Sequence, residues 1–297
     1  MNEFWIILTG SLIAVSCGLL GCYLILRQMA MMGDAISHAV LPGIFFAFLI
    51  AGHGSIASLI GASVLGIIAA LMIETFSRKA KLQSDAAIGL TFTLLFAIGV
   101  ILIAAYAQQV DLDQECVLYG EIAFVPFDTF TFNGMDLGPR AVWIGGVVLA
   151  LIVTMIVVGY KGLFLTTFDP AYAAALGFST AFWHYLLMAA VSLTTVVSFE
   201  SVGAILVVAF LIGPAATAYL LTNRLEVMLV LSAAIGVLTA ISGYYLAVWL
   251  NGSIAGAMAA MVGFWFLLAF LFSPIQGVFR LGKAVDESGL DELAQGI

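Results

Sequence analysis

A chain of 297 residues that is 64% hydrophobic and 9% charged, with a mean hydropathy of +1.19, is no soluble domain, where about a quarter of residues are charged. Its net charge of −8 is spread over few residues, with no basic, aromatic-studded patch for nucleic acid, and its three cysteines form no C-x-x-C pair for a zinc or thioredoxin-like site. The composition is that of an all-α polytopic membrane protein with a single transmembrane domain over residues 1–297.

The first apolar segment, residues 4–26, is longer than the roughly 7–15-residue core of a signal peptide and has no small-residue cleavage site after it, so it reads as a retained spanning helix. Gly10, Ala14 and Gly18 recur in it at i, i+4, a stripe that lets helix backbones approach closely in lipid. A span needs roughly 20 apolar residues. Further spans are read at residues 36–51, 55–76, 86–107, 141–160, 181–199, 202–221, 227–250 and 254–272, giving eight to nine in all. The segment at 36–51 is short. The one at 202–221 is interrupted by Gly213-Pro214, where the missing backbone donor is expected to kink or break it into a partial or re-entrant span. A second small-residue stripe, Gly252, Gly256 and Ala260, opens the last span.

Lys and Arg are retained on the cytoplasmic side of a membrane. Nine spans with the N-terminus outside place Arg27, Arg78, Lys79, Lys81, Lys161, Arg224, Arg280 and Lys283 inside and leave only Arg140 outside. The tail at 274–297 is then cytoplasmic. The longest hydrophilic segment, residues 108–140, falls on the outer face and carries Asp111, Asp113, Glu115, Glu121, Asp128 and Asp136. It is either a solvated acidic loop or a vestibule that concentrates divalent cations by focusing the field. The run of acids at 111–115 lacks the glycine and terminal glutamate of a calcium loop.

Ionisable residues at membrane depth point to function, because desolvating them is costly unless they are paired, metal-bound or wet. Asp34 and His38, four residues apart at the mouth of an apolar run, share one face of a helix. A carboxylate oxygen and an imidazole nitrogen suit manganese, iron or zinc, and two such chains about a two-fold axis would supply four ligands. The competing reading makes Asp34 a helix N-cap. Glu74, four residues before Arg78, reads as half of an ion pair at an inner helix end. Glu200, between two apolar segments, either lines the pathway entrance or sits among headgroups. His53 reads as solvated in an outer Gly-His-Gly turn, and His184 as part of an interfacial aromatic belt. In residues 167–180, Asp169 can cap a short helix, Pro170 can open it and Gly177 can end it.

The eleven residues Gly33-Asp34-Ala35-Ile36-Ser37-His38-Ala39-Val40-Leu41-Pro42-Gly43 resemble the hallmark of the permease subunits of bacterial manganese, zinc and iron ABC importers. The resemblance extends through residues 169–178, 198–221 and Phe272-Ser273-Pro274, nearly the whole chain. It implies a type II, cobalamin-type importer fold in the bacterial inner membrane. Asp34 and His38 become intramembrane ligands of the transported ion, with no permanently bound cofactor. The same resemblance makes Asp169, Pro170, Ala171, Tyr172, Leu176 and Gly177 a cytoplasmic coupling helix that docks on an ATPase subunit. It also implies an extracytoplasmic metal-binding protein and a second permease. The chain is then not itself an enzyme, and no G-x-x-x-x-G-K-[ST] phosphate loop occurs in it. Residues 111–121 look more like the manganese branch than the zinc branch. A secondary proton-coupled metal transporter is the alternative, but it would show matched interrupted helices in two repeated halves, and only Gly213-Pro214 is such a break.

Overall fold

Backbone amides cannot remain unpaired in hydrocarbon, so a chain this apolar closes its hydrogen bonds inside helices. The computed structural model describes residues 2–39, 41–51, 55–106, 122–132 and 135–273. Its helices are α1 (Asn2–Leu26), α2 (Met32–Ala39), α3 (Leu41–Ala51), α4 (Ser55–Lys79), α5 (Ser84–Tyr106), α6 (Arg140–Val158) and α7 (Tyr160–Phe168). They continue with α8 (Pro170–Ala175), α9 (Thr180–Val202), α10 (Ala204–Leu221), α11 (Leu225–Leu250) and α12 (Ile254–Phe272). Among the described residues eight helices are long and apolar enough to cross a membrane: α1, α4, α5, α6, α9, α10, α11 and α12.

The short span expected at 36–51 is helical on both sides of residue 40, in α2 and α3, and is shorter than the eight long helices. Residue 40 between them lies outside the described residues, and Pro42 stands in the first turn of α3. The segment expected to be broken at Gly213-Pro214 is continuous. Helix α10 runs through Pro214, with the Thr217 hydroxyl donating to the Gly213 carbonyl at 2.7 Å. The break falls instead at Gly203, whose φ of +81° only glycine adopts readily and which alone separates α9 from α10.

The helices form two groups. Helices α1, α10, α11 and α12 pack closely, as do α3, α4 and α5, while α2 and α9 lie between them. The stripe on α1 is a real seam: Gly10 faces Met258 and Ala240, Ala14 faces Gly236, and Gly18 faces Ser232 and Pro214. A side chain at Gly21 would collide with the Leu211 carbonyl of α10. Among the described residues the second stripe meets no other helix at its glycines, since Gly252 has open space around it and Gly256 meets only Ser253.

One end of the bundle carries Arg27, Lys79, Lys161 and Arg224 and is called here the basic end. The opposite end is covered by a 3-10 helix (Ile122–Phe127) and an antiparallel hairpin of β1 (Thr129–Phe132) and β2 (Met135–Pro139). Gly138 takes φ +92° against the Trp5 ring, and Ile122 and Val125 are buried beneath this cap. The described part of the 108–140 segment is thus folded, and it exposes Phe124, Phe127 and Phe130. Asp111, Asp113, Glu115, Glu121, His53 and residues 274–297 lie outside the described residues.

Candidate functional site

Helix α2 is placed by its glycine and its buried face. A Cβ on Gly33 would run into the Leu211 Cδ2 methyl of α10, so glycine lets α2 lie this close without moving that side chain. Met32, Ala35, Ile36 and Ala39 are buried. Ile36 lies 3.3 Å from the Cβ position of Gly66, halfway along α4, where Ser192, halfway along α9, also closes in. The helix therefore docks at mid-height in the bundle. Gly43 serves α3 similarly, since a side chain there would meet the Gly61 carbonyl of α4 at 2.5 Å. The two glycines that bound the eleven-residue motif are packing residues.

The opposite face of α2 carries the chemistry. Asp34 is the third residue of the helix and not its N-cap, which removes the competing reading of that residue. Its Oδ1 lies 3.6 Å from His38 Nε2, with the two side chains 40% and 29% exposed. That separation is too long for a hydrogen bond. Two donors each about 2.1 Å from one ion sit roughly 3.4 Å apart at a tetrahedral angle, so the gap matches a shared cation. The His38 ring rests against Phe92 and Phe96 of α5, with centroids 5.2 and 5.8 Å away, which fixes its orientation. The Ser37 hydroxyl between them is committed to the Gly33 and Asp34 carbonyls at 2.9 and 2.8 Å. One chain thus offers two candidate donors on a half-exposed face. Among the described residues no group of three or more His, Cys, Asp or Glu could hold a metal.

Glu200, at the cap end of α9, is exposed and lines a cavity of about 220 Å³ with Asp128, Arg140 and Ser201, so its surroundings are of mixed charge. At the basic end, the Asp169 carboxylate accepts from the Tyr172 amide at 2.9 Å and caps α8, Pro170 is its first residue, and Gly177 takes φ +85° just beyond it. Ala173 is buried, whereas Ala171, Tyr172 and Leu176 are exposed. A capped short helix thus exposes apolar side chains at this end.

Two contacts went unread in the sequence. Glu74 Oε2 of α4 meets His184 Nε2 of α9 at 3.5 Å, with side chains 9% and 14% exposed. Both residues lie about a turn from the basic end of their helices, and matching them by depth would have found the pair. The second contact joins Arg27 to the last turn of α7.

A family model described as the ABC 3 transport family matches residues 2–273. The chain is 55% identical to the manganese transport system membrane protein MntD of Bacillus subtilis over 277 residues, covering 93% of this chain and 94% of that one. It is 43% identical to the zinc transport system membrane protein TroD of Treponema pallidum, covering 93% of this chain and 75% of that one. Among solved structures, PsaBC from Streptococcus pneumoniae in complex with Fab superposes with a TM-score of 0.77 at 34% identity, covering 94% of each chain.

Proposed function

The chain belongs to the ABC 3 transport family, and from that membership we propose that it is the permease subunit of an ATP-driven importer moving a divalent transition-metal ion across a bacterial inner membrane. Its fold is the type II importer fold of that family. The observation that carries the reading is the Asp34–His38 pair, a carboxylate and an imidazole 3.6 Å apart on the half-exposed face of a helix docked at mid-height. A second permease related by a two-fold axis brings the ligand count to four, and two carboxylates neutralise a divalent charge.

Manganese is the first cargo, with zinc or iron next, supported by the 55% identity to a manganese system against 43% to a zinc system. Nitrogen and oxygen ligands bind zinc more tightly than manganese, so selection rests on coordination geometry or on the protein that delivers the ion. The basic end faces the cytoplasm by the distribution of Lys and Arg, which puts the N-terminus outside and α8 inside. There Ala171, Tyr172 and Leu176 offer an apolar docking surface for an ATPase subunit, and a metal-binding protein delivers the ion at the cap end. Glu200 stands at that entrance, beside Asp128 and Arg140.

The experiment is uptake of radiolabelled manganese and zinc by cells expressing the chain with its ATPase and delivery partners, with Asp34→Ala and His38→Ala beside the wild type. Loss of uptake in variants that insert normally supports the ligand roles, and the better-transported ion is the cargo. Wild-type uptake in both variants sinks the reading.

A further inference from the structure

Arg27 is the first residue after α1, and it is fastened on two sides. Its Nε donates to Thr167 Oγ1 at 3.1 Å and its Nη2 to Thr166 Oγ1 at 3.0 Å. Each hydroxyl spends its own proton on a carbonyl of α7, Thr166 on Gly162 at 2.7 Å and Thr167 on Leu163 at 2.6 Å, which leaves lone pairs for the guanidinium. Both threonines lie in the last turn of α7, and only Asp169 separates that helix from α8.

On the other side, Arg27 opens the turn into α2. Its amide donates to the Tyr23 carbonyl, Gln28 takes φ +57°, Met29 donates back to Leu24, and Met32 donates to Met29 as α2 begins. Asp34 follows within the first turn of that helix. The guanidinium thus joins the segment carrying α8 to the segment carrying Asp34 and His38.

The chemistry of the joint suits a moving part. A partly buried arginine paired with a carboxylate would leave two uncompensated charges whenever the contact opened. Paired with hydroxyls, it leaves one charge, and the open cavity of about 350 Å³ beside it, lined by Arg27, Gln28, Thr180 and His184, can hydrate that charge. Desolvation pulls the pKa of Arg27 below its ordinary value.

We propose that Arg27 is a positioning residue that transmits displacement of α8, through Thr166 and Thr167, to α2, and so ties ATP hydrolysis to the geometry of the Asp34–His38 pair. The proposal rests on the reading of α8 as the ATPase-docking helix. It predicts that removing the joint uncouples the two activities without dismantling the complex.

The test uses the complete transporter, permease with ATPase and delivery protein, reconstituted in proteoliposomes, with ATP hydrolysis and radiolabelled manganese uptake measured on the same vesicles. Arg27→Gln and, independently, Thr166→Val/Thr167→Val keep their ATPase subunits and hydrolyse ATP near the wild-type rate. Each moves about tenfold less manganese per ATP, the scale of one hydrogen bond to a charged group. Arg27→Lys, a point charge that reaches one hydroxyl, falls between. A merely structural role lowers hydrolysis and uptake together, and an unchanged ratio in both variants, or loss of the ATPase from either, overturns the proposal. The docking reading is tested separately: if Tyr172→Ala/Leu176→Ala retains its ATPase at full stoichiometry, α8 is not the docking helix, and the role of Arg27 falls with it.

Discussion

Two carboxylate–imidazole pairs in this molecule have nearly the same separation, 3.6 Å for Asp34–His38 and 3.5 Å for Glu74–His184, and differ in every other respect. The first lies on one helix, with side chains 40% and 29% exposed, so its polar atoms face out of the protomer. The second bridges α4 and α9 with side chains 9% and 14% exposed, so its energy goes into holding two helices together. Distance between donors therefore does not identify an ion site. What distinguishes the first is its exposure, which the proposed function requires of a pair that meets an ion and a second protomer.

The comparison breaks most readily at the exposed pair. Asp34→Ala is expected to lower manganese uptake by about 100-fold or more, since even groups that only orient ligands are worth 10–100-fold, with membrane insertion unchanged. Retained uptake would put both pairs in the structural class. At the buried pair the expectation reverses. Glu74→Ala removes one side of a buried contact between two helices and costs about 1–3 kcal/mol of stability, read as a lower melting temperature in detergent, while uptake per folded molecule persists. Selective loss of transport at unchanged stability would make Glu74 part of the pathway.

The glycine that seats the exposed pair gives a sharper contrast. Gly33→Ala drives a methyl into Leu211, an overpacking cost of about 1–3 kcal/mol that displaces α2 and lowers uptake about tenfold. Adding Leu211→Ala restores much of it if the collision is the cause, and a double variant as poor as the single one removes that explanation. The smallest effect is expected at the helix cap. Asp169→Ala removes the acceptor for the Tyr172 amide and costs α8 about 1 kcal/mol, which weakens ATPase association several-fold in a co-purification titration and leaves the metal site alone. Unchanged association would show that the cap does not govern the docking geometry.

Much of this arrangement was legible from residues close together in the chain. Hydropathy marked the spans, because each must bury some 20 residues in hydrocarbon whatever its neighbours. The Asp34–His38 face followed from helical periodicity, and the ends of α8 followed from Asp169, Pro170 and Gly177. Each of these features is decided within about one helical turn. Gly213-Pro214 was misread for the same reason: a rule about local donors says that a helix breaks there, whereas α10, packed closely on α1, runs through Pro214 without its donor to the Phe210 carbonyl.

What the sequence determined by itself was the class of protein, the number of crossings to within one, and the helix face that carries Asp34 and His38. The tertiary structure decided which glycines are seams, that Glu74 meets His184, and that Arg27 reaches across to Thr166 and Thr167. Most of those contacts join residues more than a hundred positions apart. Periodicity reports which side chains share a face; only the packed bundle determines what that face meets.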